Sequence, residues 1–162
     1  MQFGLGARGM SVEDRLRELG VVIPEPRAPG GNYVQAVTTG NLVYISGNGP
    51  LQADGTMITG KVGRDLTVEE GYAAARVTVI MCLAALRAEI GSLERVSRVV
   101  KLLGMVNCTE DFERHPEVIN GASDLLVAVF GEKGKHARSA VGMQMLPFNI
   151  AVEIEMIVEI EA

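Results

Sequence analysis

The end of the chain carries its plainest pattern. Ile150, Val152, Ile154, Met156, Val158 and Ile160 alternate with Ala151, Glu153, Glu155, Ile157, Glu159 and Glu161. Period two sustained over that length predicts a strand with one apolar face and one rich in glutamate. Upstream the period becomes helical. Val68, Tyr72, Ala75, Val79, Cys82, Leu86 and Ile90 recur at spacings of four and three. Thr67 and Glu70 form a capping box before this run, and Gly91 follows it as a C-terminal stop. At 1.5 Å per residue the helix is about 35 Å long. One stripe is expected to bury against a sheet, with Arg76, Arg87 and Glu89 on the opposite side.

The remaining elements follow from weaker patterns. Ser11 and Asp14 resemble a cap for a short helix whose stripe is Val12, Leu16 and Leu19, ended by Gly20. Pro24, Pro26, Pro29, Gly30 and Gly31 make 23–32 a loop. Tyr33–Val37 and Leu42–Ser46 read as a hairpin turned at Gly40-Asn41. Residues 47–66 are glycine-rich, a length that is usually functional or partly strand. Arg95–Val106 reads as a strand with Val96, Val100, Leu102 and Val106 on one face and Arg98 as the exception. Thr109 can cap a third helix, but Pro116 is tolerated only in a first turn. The continuous helix therefore runs from Pro116 to Phe130, closed by Gly131, with Ile119, Ala122, Leu126 and Val129 inward. Ala137–Met145 is a further strand.

Both long helices connect strands without a tight turn, so they cross over on one face of a mixed sheet. The expected architecture is an α+β two-layer sandwich with a short N-terminal helix. Residues 1–29 form an extension and 30–162 a single domain. The sheet's second face, carrying Gly, Ser, Met and charge, is a candidate subunit interface.

Composition narrows the function classes. The chain has 162 residues, 48% hydrophobic and 22% charged, which is the balance of a folded globular protein. Net charge is −5, with aromatics at 4% and no Trp, so neither phosphate-backbone binding nor base stacking is well served. The 8 Met and 19 Gly stand out; Met143, Met145 and Met156 are suited to filling core or interface gaps. Cys82 and Cys108 lie in apolar surroundings and read as free buried thiols, and two Cys with two His are too few for a zinc site. No apolar run reaches a membrane span and no secretory signal opens the chain, so a cytoplasmic location is expected. Gly4, Gly6 and Gly9 match a dinucleotide motif formally, but no strand precedes them. Translation can start at Met1 or Met10.

Chemistry concentrates in Gly134-Lys135-His136-Ala137-Arg138-Ser139. Arg138 alternates with Ala140 and Gly142, whose small side chains leave room for its bidentate fork to meet a carboxylate. The plainer reading pairs Arg138 with Glu153 or Glu155 on a neighbouring strand. His136 is either a proton carrier near Arg138 or a surface or loop histidine; His115 reads as a loop residue. Ser46 opens Ser-Gly-Asn-Gly-Pro, which lacks the nucleophile-elbow pattern but can offer backbone N–H groups to an anion. Glu153 is either one of several solvated glutamates guarding an edge strand or a general base near Arg138. Asn120 is polar where its helix turns apolar.

Several stretches together resemble the Rid/YjgF family, the reactive-intermediate deaminases typified by RidA and often labelled endoribonuclease L-PSP. They are Tyr33-Val34-Gln35-Ala36-Val37, Gly40 to Gly47, Ile119-Asn120-Gly121, Ala137-Arg138-Ser139-Ala140-Val141, and Leu146-Pro147 followed by Val152-Glu153-Ile154-Glu155. The resemblance implies a chorismate-mutase-like fold, a homotrimer with clefts between subunits, and no cofactor or metal. It implies that Arg138 holds the carboxylate of a small imino acid and that Glu153 positions or activates the water that replaces the amine. Tyr33, Ser46, Gly47, Asn120, Ser139 and Ala140 match pocket positions. The sequence departs from the pattern where Ala140 replaces a cysteine, at Asn48-Gly49-Pro50, in extra residues around Glu113–Pro116, and in the N-terminal extension. These mark a divergent subgroup. The expected function is hydrolytic deamination of 2-imino or enamine acids to 2-keto acids and ammonia. A non-catalytic carboxylate-binding trimer is the alternative, and ribonuclease activity the less favoured one, with neither nucleic acid nor membrane as partner.

Overall fold

The computed structural model describes residues 9–162; Met1, Gly4 and Gly6 lie outside them. Helix α1 (Val12–Glu18) leads through an extended segment to the hairpin β1 (Ala36–Thr39) and β2 (Leu42–Asn48). Helix α2 (Val68–Ile90) precedes strand β3 (Val96–Asn107), and α3 (His115–Phe130) precedes β4 (Ala137–Met143). Strand β5 (Val152–Ile160) ends the fold. The sheet runs β1-β2-β5-β3-β4, antiparallel except for β3 and β4, which are parallel with α3 as their crossover. The α+β layering expected from the sequence is therefore present.

One expectation about the sheet fails. The glutamate-bearing strand β5 is central, flanked by β2 and β3, and guards no edge. Its apolar side chains Val152, Ile154, Met156 and Val158 are buried against the helices. Its glutamates point to the face that no helix covers, which explains a clean period of two on a central strand.

The capping box at Thr67 and Glu70 forms as expected. Burial on α2 is broader than one stripe: Met81 through Leu86 are all buried. The cause is a third neighbour besides the sheet and α3. Arg87 donates to the carbonyls of Ile23 and Pro24 at 2.9 and 3.2 Å, holding the N-terminal segment against the helix. Leu16, Val21 and Ile23 join the main core. The α2–α3 contact is close because Gly121 lies over the backbone of Tyr72. A Cβ there would stand 2.0 Å from the Tyr72 carbonyl oxygen.

Other boundaries move for local reasons. β1 starts at Ala36, three residues later than the pattern predicts, and β2 runs on to Asn48. On β3, register shifts between Val96 and Arg98 and between Val99 and Lys101 change the phase, so Val99 takes the buried position expected of Val100. Helix α3 begins at His115 after Arg114, with Pro116 in its first turn, and Thr109 caps nothing. β4 ends at Met143, leaving Met145 61% exposed on the following turn. Residues 49–66 are partly ladder: isolated bridges join Leu51 to Met57, Thr59 to Ile150 and Val62 to Cys108, and Val62 is fully buried. Met57 packs with Met105, Leu146 and Ile150 as a small second cluster.

Candidate functional site

Arg138 is the second residue of β4, an edge strand of the sheet. Its register partner is Leu102, fully buried beneath the helices, so Arg138 points to the helix side. It makes no ion pair with Glu153 or Glu155. Its Nη1 donates to Asn120 Oδ1 at 2.8 Å and Ser123 Oγ at 3.1 Å, both on α3. Gly121, which lets α3 approach α2, thereby helps set where Asn120 stands. Nη2 and Nε of Arg138 have no partner among the described residues, so part of the fork remains available.

His136, a half-buried loop residue immediately before β4, belongs to the same network. Its Nδ1 lies 2.6 Å from the Gly134 carbonyl oxygen, which can only accept, so Nδ1 carries the proton. Nε2 is then an acceptor for the Ser123 hydroxyl at 2.9 Å. Burial lowers the His136 pKa, the nearby Arg138 charge lowers it further, and the Gly134 bond opposes both. The neutral ring holds Ser123, and Ser123 holds Arg138. Ser123 carried no signal in the sequence, since a serine on a helix has too many uses to be singled out.

Glu153 faces the other side of the sheet. It pairs with Met105 on β3, in register with the uncovered face, while Arg138 lies beyond β3 on β4. The expectation that adjacent strands bring Arg138 and Glu153 together within one chain is therefore not met. Glu153 packs on Gly47: a Cβ at that glycine would stand 2.1 Å from Glu153 Oε1. Half-burial raises the Glu153 pKa, and the Glu155 charge raises it further. This carboxyl therefore holds a proton more firmly than a solvated glutamate does.

The other predicted residues divide between these two clusters. Tyr33 and Gly47 line a cavity of about 240 Å³ with Gln35, Asn48, Phe148 and Arg27. The Tyr33 hydroxyl accepts from the Gly30 backbone N–H at 3.2 Å. The Ser46 hydroxyl donates to the Val34 carbonyl at 2.7 Å, so its side chain ties β2 to the segment that leads into β1. Asn48, buried, donates to the Ser46 carbonyl at 2.8 Å. Gln35 Oε1 is a buried acceptor without a partner in this cavity. Ser139 and Ala140 follow Arg138 on opposite faces. Ser139 accepts from Lys101 Nζ at 3.2 Å on the uncovered face, and Ala140 packs on the core.

One half thus offers a cation with spare donors, the other a proton-holding carboxyl beside a small cavity. The roomier cavity, about 850 Å³, lies at the ends of β3 and β4 away from both and is lined by Cys108 and His115. Among the described residues no three His, Cys, Asp or Glu side chains gather into a metal-binding set, and no helix is long and apolar enough to cross a membrane.

The family described as "YjgF/chorismate_mutase-like, putative endoribonuclease" matches residues 13–160. Protein TCP17 of Trypanosoma cruzi is 45% identical over 150 residues, covering 92% of this chain and 94% of that protein. A 2-iminobutanoate/2-iminopropanoate deaminase of Dermatophagoides farinae is 33% identical over 143 residues, covering 86% and 96% respectively. The crystal structure of Atu1372 from Agrobacterium tumefaciens, titled as of unknown function, superposes with a TM-score of 0.87 at 45% identity, covering 93% of this chain and 92% of that one.

Proposed function

The chain belongs to the YjgF/chorismate mutase-like family, and from that membership we propose that it hydrolyses small 2-imino or enamine acids to 2-keto acids and ammonia. The observation that carries the reading is Arg138: a cation braced by Asn120 and Ser123, with Nη2 and Nε unengaged. A carboxylate on that fork fixes the adjacent C=N carbon, so the rate gain is mainly positional. Water adds to that carbon and one of its protons passes through Glu153 to the nitrogen, giving a carbinolamine. The carbinolamine hydroxyl proton then follows to the same nitrogen by way of Glu153 as the C–N bond breaks, so that ammonia leaves and the carbonyl forms. A carboxyl whose pKa is raised by burial suits both accepting and returning that proton. Gln35, whose Oε1 is a buried acceptor without a partner, lines the same cavity as Gly47.

Arg138 and Glu153 lie on opposite faces of one sheet, so the working cleft joins Arg138 of one copy to Glu153 of another. The assembly we propose is a homotrimer. Its support is the exposed apolar side chains set among the glutamates of the uncovered face: Val37, Tyr44 and Val141 are exposed there, and Phe148 is 89% exposed on the adjoining turn. Phe148 also has φ of 56°, a left-handed conformation that a bulky residue adopts only under constraint. The deaminase relative supports the chemistry. The ribonuclease reading is disfavoured by net charge −5 and by two histidines engaged separately, His115 with Cys108 and His136 with Ser123.

The test is keto acid release from 2-iminopropanoate generated in situ by an amino-acid oxidase. Purified protein is expected to accelerate release over buffer, and Arg138→Ala to abolish the acceleration. No acceleration by the wild-type chain, with 2-keto acids binding calorimetrically, would replace the enzyme reading with a carboxylate-binding one.

A further inference from the structure

Cys108 and His115 are brought together by parts of the chain that the proposed cleft does not use. Cys108 follows the last residue of β3, and His115 opens α3. Cys108 Sγ lies 3.4 Å from His115 Nε2. The imidazole is held edge-on to Phe112, with ring centroids 5.3 Å apart and planes at 85°. Gly142 on β4 makes the room. A Cβ there would stand 2.4 Å from Nε2 and 2.9 Å from Sγ, so any larger residue would drive the pair apart. Lys61 donates to the Cys108 carbonyl at 3.3 Å and to Asn107 Oδ1 at 2.9 Å, which fixes the backbone under the thiol.

The pair lines the cavity of about 850 Å³. That is ample for a small molecule. Charges on the wall balance: Lys61 and Arg64 stand against Glu110 and Asp111, and Phe112 and Met143 add apolar surface. Such a wall favours an uncharged guest. Burial raises the Cys108 pKa, with the Met143 backbone and the Lys61 charge opposing. The thiol therefore rests protonated, and the imidazole is its nearest base.

We infer that Cys108 is a modification site at which His115 activates the thiol toward a small, uncharged α,β-unsaturated carbonyl compound. The step balances without a leaving group or redox partner. The Sγ proton passes to His115 Nε2 as Sγ bonds the alkene's β-carbon. The alkene electron pair moves toward the carbonyl as an enolate, whose α-carbon then takes the proton back from Nε2. Cys82 is the built-in control: it is fully buried between α2 and the sheet, and burial raises its pKa strongly.

The test is acrylamide labelling of the native full chain, read at each cysteine by peptide mass spectrometry, with acrylate as the charged comparator. Cys108 is expected to label at least ~10-fold faster than Cys82, and His115→Gln to slow Cys108 at least ~10-fold, a modest share of what a general base supplies. Unchanged Cys82 labelling in the variant reports an intact fold; were it to rise, Gly142→Ala, which crowds the pair instead of deleting the base, carries the same expectation. The acrylamide-to-acrylate rate ratio at Cys108 is expected to exceed that for glutathione. Equal labelling of the two cysteines in the wild-type chain, or a Cys108 rate insensitive to both variants, would overturn the site. A ratio at or below that of glutathione would overturn its preference for uncharged guests.

Discussion

Arg138 and Glu153 face opposite sides of one sheet, with β3 between their strands. Neither side chain can turn through the sheet to meet the other. A cleft that uses both must draw them from different copies of the chain.

Ser123 holds Arg138 from one side and His136 from the other. Ser123→Ala removes the bridge and leaves the His136 acceptor unpaired. The expected effect is a loss of about 1–2 kcal/mol in stability and a several-fold rise in KM, with a smaller change in kcat. Chemical denaturation and steady-state kinetics check it; an unchanged KM would separate Ser123 from substrate binding.

Gly47→Ala is expected to dissociate activity from stability. The atom in the way is the far end of the Glu153 side chain, which can swing aside. Stability should fall by less than about 1 kcal/mol, while kcat drops at least ~10-fold because the carboxyl has moved.

Gly121→Ala is the opposite case. Its Cβ would meet the backbone of Tyr72, which has no rotamer to yield. Overpacking of this kind is expected to cost about 3 kcal/mol. A variant with wild-type thermal stability would mean that α2 and α3 separate more easily than their packing implies.

Glu153 makes stability depend on pH. Its folded pKa is raised above the unfolded value, so the folded chain holds the proton more firmly. Stability from this group is present below the ordinary glutamate range and is lost as pH rises through the elevated one. Glu153→Gln should therefore be more stable than wild type at neutral pH and should lack that part of the decline. Parallel pH–stability curves for the two proteins would contradict it.

Much of this was legible in the sequence because periodicity reports burial directly. β5 and α2 were readable from side-chain spacing, and the Thr67–Glu70 cap from two residues. The position of β5 was not, because a central strand with one helix-covered face and one open face alternates just as an edge strand does. The phase of β3 escaped because register shifts leave no compositional mark. Arg138 and Asn120 were both visible as polar residues among small or apolar neighbours, and the structure joins them. Ser123, Gln35 and the Cys108–His115 pair were not, since each owes its role to a neighbour distant along the chain or to a cavity wall.

Subunit mixing tests the central claim most directly. Arg138→Ala and Glu153→Gln are each expected to be inactive alone. Unfolded together and refolded as a mixture, they should regain about a quarter of wild-type activity, because random assembly gives that share of clefts an intact Arg138 from one copy and an intact Glu153 from another. A mixture as inactive as its components, with mixed oligomers confirmed by native mass spectrometry, would show that the two residues do not meet across a subunit boundary.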